Sequence, residues 1–318
     1  MNQMDLKNPQ PNRETLLEVD HLRKTFGKLE ALKNVTFSVN TGSCFGLLGP
    51  NGAGKSTTMK ILAGILSADS GSARLLGKNV LLDKSVVAKN VGYVPQEITL
   101  YEEFTALENL TFFGELYGVK GRELRKRTEK VLEDTGLAER ARDKVKTFSG
   151  GMKRRINIGC ALLHRPRLLI LDEPTVGIDP QSRNRIFEMI RKLTEEGVTV
   201  IYSTHYMEEV EQLCDEAAII DHGEVMAHGP LGELLERYGR KAVYLEVTGL
   251  KEIPQHPLIK AANREGIGWI LESENLPELM QWLLSVASNQ RWEVKQLDIV
   301  RPSLEQVFLT VTGTALRD

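Results

Sequence analysis

Two short stretches of this sequence carry residues whose types and spacing could do chemistry. The first reads Gly49-Pro50-Asn51-Gly52-Ala53-Gly54-Lys55-Ser56-Thr57, and it follows the phosphate-loop spacing G-x-x-x-x-G-K-S. Its glycines let backbone N–H groups turn toward a triphosphate, Lys55 places a point charge on the outer phosphates, and the Ser56 hydroxyl can ligate Mg²⁺. The second is the carboxylate pair Asp172-Glu173. Together they predict a nucleotide site, against the alternative of a glycine-rich turn that binds nothing.

The segments flanking these stretches predict how the side chains are positioned. Cys44–Leu48 is a short apolar run that predicts a buried strand before the loop, and Thr57–Leu66 predicts a helix after it. The positive end of that helix would face a bound anion. Leu168–Leu171 is a run of large apolar residues, typical of a strand buried on both faces of a parallel sheet. Asp172 and Glu173 follow that strand at its carboxyl end, the sheet edge where ligands bind.

The remaining segments predict the fold class and the domains. Strand-like and helical segments alternate up to about residue 238, which indicates an α/β fold with a mostly parallel sheet. Segments 15–26 and 32–39 read as antiparallel strands that lead into the loop strand. Near residue 239 the pattern restarts, which predicts a small separate α+β domain. We therefore predict a disordered or extended segment 1–14, a nucleotide-binding domain 15–238 and a C-terminal accessory domain 239–318.

Composition and charge argue against several classes of protein. The chain has 318 residues, of which 41% are hydrophobic and 26% charged, as in an ordinary globular protein. The formal net charge of −2 gives no support for general nucleic-acid binding. Three widely separated cysteines predict free thiols rather than a metal site or a disulfide framework. No run approaches the ~18–20 apolar residues that cross a bilayer, so we expect a membrane role only through a partner.

Six separated motifs resemble those of the ATP-binding subunit of an ABC transporter. In chain order they are the phosphate loop, Gln96, Phe148-Ser149-Gly150-Gly151-Met152, Leu168–Pro174, Gly177-Ile178-Asp179-Pro180 and His205. The resemblance covers about residues 15–238 and is far more specific than a phosphate loop alone. It implies a P-loop NTPase with a mostly parallel core sheet, an antiparallel β subdomain and a helical subdomain, followed by the small C-terminal α+β domain.

The signature segment Ser149–Gly151 departs from the commonest form of the family at both of its flanks. That form has Leu first and Gln last, whereas this chain has Phe148 and Met152, followed by Lys153-Arg154-Arg155. These differences resemble the exporter branch, which includes drug-resistance and related ABC-2 type systems. The segment Pro302–Phe308 also resembles the tail of ABC-2 type ATPases, where it aids dimerisation or regulation; a merely stabilising appendage is the alternative.

The resemblance implies a role for each residue of the nucleotide site. Asp172 would hold Mg²⁺ through water, and Glu173 would orient and polarise the attacking water. Gln96 would ligate Mg²⁺ or its water, although taken alone it is more typical of a surface loop. His205 would hydrogen-bond the γ-phosphate, although taken alone it is more typical of a structural histidine. Phe26 would stack on adenine, with a core phenylalanine as the alternative. The implied catalytic residues are Glu173, His205 and Gln96, and the implied metal ligands are Ser56, Gln96 and Asp172.

Two further segments would act on a second subunit. Backbone amides and a hydroxyl at a helix N-terminus form an anion site, and the family uses Ser149, Gly150 and Gly151 to contact the γ-phosphate held by the other subunit. Asp179 would touch the partner across the dimer interface. The implied nucleotide-binding residues are therefore Phe26, the loop residues 49–57, Ser149, Gly150, Gly151 and Asp179.

The implied function is that of an ATP-hydrolysing motor subunit. It would use ATP and Mg²⁺, with no other metal, dimerise, and drive export through a separate integral-membrane permease. It would be cytoplasmic and peripheral on the inner face of the cell membrane. A soluble ABC-type ATPase that acts on nucleic acid or ribosomes is the alternative; a single nucleotide domain and no basic excess argue against it. A small-molecule kinase would not explain Ser149–Gly151 or His205.

Overall fold

The structure, a computed structural model, describes residues 14–313 of the chain. The segment predicted to be disordered or extended, residues 1–14, lies outside the described residues except for Glu14. The described residues form two compact units, which divide after Leu231. The domain boundary placed at residue 238 from the sequence stays a prediction.

A ten-stranded mixed sheet organises the first unit. Its spatial order is β5-β4-β1-β2-β10-β9-β3-β8-β7-β6. Strands β6, β7, β8, β3 and β9 pair in parallel, whereas β1, β2, β4 and β5 pair antiparallel. The α/β class and its antiparallel subdomain are therefore confirmed. The strands are β1 Thr15–Phe26, β2 Leu29–Asn40, β3 Cys44–Leu48, β4 Ser70–Leu75, β5 Lys78–Asn79, β6 Val91–Val94, β7 Leu168–Asp172, β8 Thr199–Thr204, β9 Glu216–Asp221 and β10 Glu224–Pro230.

The central strands β3, β7 and β8 are buried at every residue. Such strands carry mostly apolar side chains on both faces, and the buried polar residues Asp172, Ser203 and Thr204 lie at the carboxyl ends of β7 and β8. Because the three strands run parallel, their carboxyl ends meet at one edge of the sheet. That edge carries the segments that follow them, which begin at Gly49, Glu173 and His205.

Seven α-helices in the described part of the first unit cover this sheet and form a helical layer beside it. Helices α3, α4 and α5 share an apolar cluster that includes Leu110, Val131 and Ile156, as expected for the helical subdomain. The helix after the phosphate loop ends at Leu62 rather than Leu66, because Gly64 takes the left-handed φ of 71°. The helices are α1 Lys55–Leu62, α2 Lys84–Asn90, α3 Ala106–Leu116, α4 Gly121–Asp134, α5 Gly150–Leu162, α6 Pro180–Glu195 and α7 Met207–Leu213.

The second unit contains its own antiparallel sheet and apolar core. Its four strands have the order β12-β13-β11-β14, and Val243, Leu271 and Leu283 are among its buried residues. Residues 14–313 contain no helix that is long and apolar enough to cross a bilayer. The elements are α8 Leu231–Tyr238, β11 Ala242–Val247, β12 Ala261–Glu265, β13 Gly268–Glu272, α9 Leu276–Gln290, β14 Val294–Val300 and α10 Leu304–Thr312.

Candidate nucleotide site

The phosphate loop joins β3 to α1, as predicted. Two of its glycines are required by close packing. A Cβ on Gly49 would meet the carbonyl oxygen of Ile220, and a Cβ on Gly54 would lie 2.6 Å from Leu32 Cδ2. Gly54 also takes a φ of 110° as the residue before α1. The backbone thus approaches its surroundings too closely for any side chain, which fixes the course of the loop.

Lys55 is almost fully buried at the centre of the loop, with 4% of its surface exposed. Its Nζ donates to the carbonyl oxygens of Gly49 and Pro50 at 2.7 and 3.1 Å, and it lies 3.5 Å from Glu173 Oε1. Burial lowers the pKa of Lys55, while the negative charge of Glu173 opposes that shift. A cation held in this way is placed to bind an anion that enters the loop.

Asp172 ends β7 inside a group of hydroxyl donors. Its Oδ1 accepts hydrogen bonds from Ser56 Oγ at 3.0 Å and from Ser203 Oγ at 3.1 Å, and the Tyr93 hydroxyl donates to Oδ2 at 3.3 Å. Burial and the nearby Asp172 charge raise the pKa of Tyr93, so this phenol stays protonated and keeps donating. The sequence reasoning named Ser56 and Asp172 but missed Ser203 and Tyr93, whose hydroxyls orient the carboxylate.

Glu173 sits on strained backbone beside this group. Its φ of 47° lies in the left-handed region, which is uncommon for a residue with a side chain. Gln96 Nε2 donates to Glu173 Oε2 at 3.1 Å, and His205 Nδ1 lies 3.5 Å from Oε1. The Glu173 N–H donates to Ser203 Oγ at 3.1 Å. The structure therefore brings Lys55, Gln96, Glu173 and His205 together, although they are distant in the sequence.

These residues line one cavity of about 420 Å³, here called the cradle. Its volume is within the range of small-molecule sites. Phe26, with 46% of its surface exposed, lines the cradle and offers an aromatic face to a base. Ser56 and Gln96 line the cradle, Asp172 accepts a hydrogen bond from Ser56, and the oxygens of these three residues are of the hard type that Mg²⁺ prefers. The cradle is lined by Phe26, Leu29, Ala31, Asn51, Gly52, Ala53, Gly54, Lys55, Ser56, Thr57, Gln96, Glu173, Val176 and His205.

Ser149, the first residue of the signature segment Ser149–Gly151, lines a different cavity. Ser149 caps α5 by accepting a hydrogen bond from the Met152 N–H at 3.3 Å, and both Ser149 and Gly150 are exposed. Asp179 caps α6 by accepting from the Ser182 N–H at 2.9 Å, which lowers the pKa of its carboxyl. Ser149 and Asp179 share a cavity of about 660 Å³. The structure thus groups Ser149 with Asp179, and neither residue lines the cradle of the same chain.

Arg154 connects the signature helix to the segment that carries Gln96. This side chain on α5 is 3% exposed, and its guanidinium donates to the carbonyl oxygens of Pro95, at 2.8 Å, and Gln96. Burial lowers its pKa, which the charge of Asp172 opposes. Sequence reasoning missed this role. The sequence signal was the basic run Lys153-Arg154-Arg155 after Met152, which with Phe148 and Met152 indicates only a resemblance to the exporter branch.

Three family models match the chain, of which the one described as "AAA domain, putative AbiEii toxin, Type IV TA system" matches residues 144–211. The model described as "ABC transporter" matches residues 32–176, which include the phosphate loop and Asp172. The model described as "ATP-binding protein DrrA1-3-like, C-terminal domain" matches residues 229–312, which cover most of the second unit. The matches therefore extend to both units.

Full-length relatives support the same assignment. The chain is 44% identical to the linearmycin resistance ATP-binding protein LnrL of Bacillus subtilis, over 95% of this chain and 100% of that protein. It is 37% identical to Nod factor export ATP-binding protein I of Ralstonia nicotianae, over 95% of each chain. It is 35% identical to the daunorubicin/doxorubicin resistance ATP-binding protein DrrA of Streptomyces peucetius, over 96% of this chain and 94% of DrrA. All three names describe resistance or export.

Solved structures resemble the cassette part of the chain. An ATP-binding subunit of an ABC transporter aligns with a TM-score of 0.64 and 33% identity, covering 70% of this chain and 93% of the other. The cassette MJ0796, in a dimeric post-hydrolysis state bound to ADP and Pi, aligns with a TM-score of 0.62 and 27% identity, covering 68% and 99%. The predicted fold class is thereby confirmed.

Proposed function

Because this chain belongs to the family of ATP-binding subunits of ABC transporters, in its exporter branch, we propose that it hydrolyses ATP in sites shared by two copies. One observation carries this proposal. Lys55, Gln96, Glu173 and His205 converge in the cradle, whereas Ser149 of the signature segment lines another cavity. A complete site then needs the cradle of one copy and the signature segment of the other.

Within the cradle, each residue has a distinct task toward ATP. Lys55 and the loop N–H groups bind the phosphates, and Phe26 stacks on the base. Ser56, Asp172 and Gln96 would hold Mg²⁺, which when bound neutralises charge on the phosphate oxygens. Ser203 and Tyr93 keep the Asp172 carboxylate oriented. ATP use is a family property; these residue assignments are our proposal.

Hydrolysis follows from the position of Glu173. Its carboxylate orients a water molecule and accepts its proton while the water oxygen forms a bond to the γ-phosphorus. The bond between the γ-phosphorus and the bridging oxygen breaks, which releases ADP and phosphate. His205, at 3.5 Å from the same carboxylate, would donate a hydrogen bond to the γ-phosphate. Gln96 would sense that phosphate through its contact with Glu173.

The signature segment would close the site from the second copy. Ser149 and the backbone N–H groups at the start of α5 would form an anion site suited to the γ-phosphate. Asp179 lies beside Ser149 and would meet the partner at the same interface. Two bound ATP molecules would hold the copies together, and hydrolysis would release them.

The membrane partner and the location are also proposals. ABC ATP-binding subunits work with membrane permeases, and the relatives named above are resistance or export proteins. We infer that this chain acts in the cytoplasm, on the inner face of the membrane, where a separate permease selects the exported compound. Residues 239–318 would assist dimerisation or regulation. The relatives give no support to the alternative of an ATPase acting on nucleic acid or ribosomes.

The dependence of the ATPase rate on protein concentration tests the shared site. In the presence of Mg²⁺, the rate per chain should rise with concentration and level off once dimers dominate. A rate per chain that is the same at every concentration, in a sample shown to be monomeric, would overturn the proposal. Co-purification with the permease, followed by tests of which compounds stimulate the rate, would define the transported compound.

A further inference from the structure

A buried carboxylate outside the cradle gathers three hydroxyl groups. Glu209, on α7, is 3% exposed. Its Oε2 accepts hydrogen bonds from the Tyr202 hydroxyl at 2.8 Å and from Thr175 Oγ1 and Thr204 Oγ1, both at 2.9 Å. Arg183 Nη1 lies 3.9 Å from Oε1. A buried carboxylate is costly unless its oxygens are satisfied, and here the donors supply that satisfaction.

Two of these donors belong to segments that carry site residues. Thr204 immediately precedes His205, and its Oγ1 also accepts the Tyr206 N–H at 3.0 Å, which closes the turn around His205. Thr175 lies two residues after Glu173, in the segment that leads to Asp179. One carboxylate oxygen therefore holds both the histidine turn and the segment between Glu173 and Asp179.

We propose that Glu209 is a positioning residue that couples the His205 turn to the 175–179 segment. The inference rests on the proposed function, in which His205 contacts the γ-phosphate and Asp179 meets the partner copy. Both threonine hydroxyls lie 2.9 Å from the same carboxylate oxygen, to which they donate. A displacement of the histidine turn therefore changes the bond that fixes the other segment. The presence of a γ-phosphate is passed in this way to the dimer interface.

A purely structural role for Glu209 makes a different prediction. In that case the loss of any hydrogen bond to the carboxylate would lower kcat in proportion to the stability that this bond contributes. Tyr202 allows the comparison, because its hydroxyl donates to the same oxygen, whereas its own position in β8 is outside the turn around His205 that Thr204 closes. Its hydroxyl also lies 3.0 Å from Thr175 Oγ1, which keeps its own hydrogen bond to Glu209 when Tyr202 is replaced. Coupling predicts that the threonine hydroxyls matter for turnover and the tyrosine hydroxyl mainly for stability.

The first experiment replaces the carboxylate in the full-length chain. Glu209→Gln keeps the shape but gives the three hydroxyls a neutral amide oxygen, a weaker acceptor than a carboxylate, and places its NH₂ group beside the Arg183 guanidinium. We expect kcat to fall about tenfold, with the ATP dissociation constant of the monomer changed by less than about twofold. Glu208→Gln is the matched control, since Glu208 is the exposed neighbour on the same helix. It removes the same charge and should leave kcat unchanged. A normal kcat for Glu209→Gln would overturn the coupling.

The second experiment stays informative even if Glu209→Gln folds poorly. Thr175→Val and Thr204→Val should each lower kcat several-fold, and the double variant should be no worse than the more severe single variant, because both act through one carboxylate. Tyr202→Phe should lower the Tm by as much as the single threonine variants do, but it should change kcat less than they do. If kcat instead follows Tm across all three variants, or if the two threonine effects simply multiply, the role of Glu209 is structural.

The outcomes also separate this inference from the proposed function. If the wild-type rate per chain depends on concentration while the Glu209 and threonine variants behave as structural changes, only the coupling fails. If the wild-type monomer hydrolyses ATP by itself, the shared site fails, and the variants then report on a site within one chain.

Discussion

The cradle and the signature segment differ in how completely one chain builds them. In the cradle, Lys55 and Glu173 are 4% and 7% exposed, and each is held by neighbouring groups. In the signature segment, Ser149 and Gly150 are exposed, and the Ser149 hydroxyl makes only a helix cap within residues 14–313. The difference indicates that the cradle is preorganised for chemistry, whereas the signature segment is arranged to meet a ligand presented by another molecule.

That contrast separates the tasks of catalysis and closure. Preorganised charges and donors lower the barrier to hydrolysis because they need not rearrange during the reaction. An exposed helix N-terminus contributes only once an anion reaches it. Changes in the cradle should therefore affect either hydrolysis or the binding of nucleotide, which the monomer can do alone. Changes in the signature segment should affect only the assembled dimer.

The largest effect is expected from Glu173→Gln, which should sharpen this separation. The amide cannot accept the proton of the attacking water, so kcat should fall by about 10²–10⁴-fold, the usual contribution of a general base. ATP binding should persist, because Lys55 and the loop are untouched. Steady-state turnover and equilibrium ATP binding are the measurements, with the exposed Glu196→Gln as control. Turnover near the wild-type level would remove Glu173 from its assigned role.

The next largest effect comes from mixing two variants that are each inactive. Ser149→Arg should block the signature segment, and Lys55→Ala should disable phosphate binding in the cradle. A mixed dimer contains one intact site, formed by Lys55 of one chain and Ser149 of the other. An equal mixture should regain up to about a quarter of wild-type activity, as expected for random pairing in a symmetric dimer.

The control is to assay each variant alone at the total protein concentration of the mixture. Each should then be inactive. If Ser149→Arg alone retained full turnover, the signature segment would have no part in the site. In that event the cradle and the signature segment would differ only in how exposed their residues are.

A smaller effect is expected from Phe26→Ala, which tests the rim of the cradle. Loss of base stacking should weaken ATP binding by about tenfold, in line with ~1–3 kcal/mol per stacked base, while kcat at saturating ATP changes little. Phe112→Ala, at an exposed phenylalanine of α3, is the control. Equal ATP affinity in Phe26→Ala and the wild type would contradict the assignment.

The smallest effect concerns how the signature segment is anchored. A Cβ on Gly151 would meet Ser182 at the start of α6, whereas a Cβ on Gly150 would be in ordinary contact with Ile178 at 3.5 Å. Gly151→Ala should thus lower the free energy of unfolding by about 1–3 kcal/mol. Gly150→Ala should change it less, as chemical denaturation of the two variants would show. Equal stabilities would mean that α5 shifts freely against α6.

Local patterns predicted the cradle well. Two apolar runs, Cys44–Leu48 and Leu168–Leu171, predict the two strands to within a few residues. The glycine spacing after the first run predicts the loop that follows it. Parallel pairing then brings Asp172 to the loop. The presence of Gln96 and His205 in the same cavity followed only from the family resemblance, because nothing in their immediate surroundings distinguishes them from ordinary loop residues.

Contacts that depend on tertiary packing escaped prediction. Arg154 and Glu209 look like surface charges on helices, and only the packing of α5 and α7 buries them. In the second unit, the strand Ala261–Glu265 was missed because it is largely exposed and has no alternating apolar residues. Helix Lys84–Asn90 was missed because it has seven residues and only two of them are buried. Sequence periodicity cannot report such features.

The most direct test of the shared site is the mass of the Glu173→Gln chain in solution with ATP and Mg²⁺, measured by sedimentation. We predict a dimer of about twice the 35.6 kDa chain mass. We further predict that the double variant, which carries both Glu173→Gln and Ser149→Arg, stays monomeric although it still binds ATP. A Glu173→Gln chain that stays monomeric with ATP bound, or a double variant that dimerises equally well, would contradict the account.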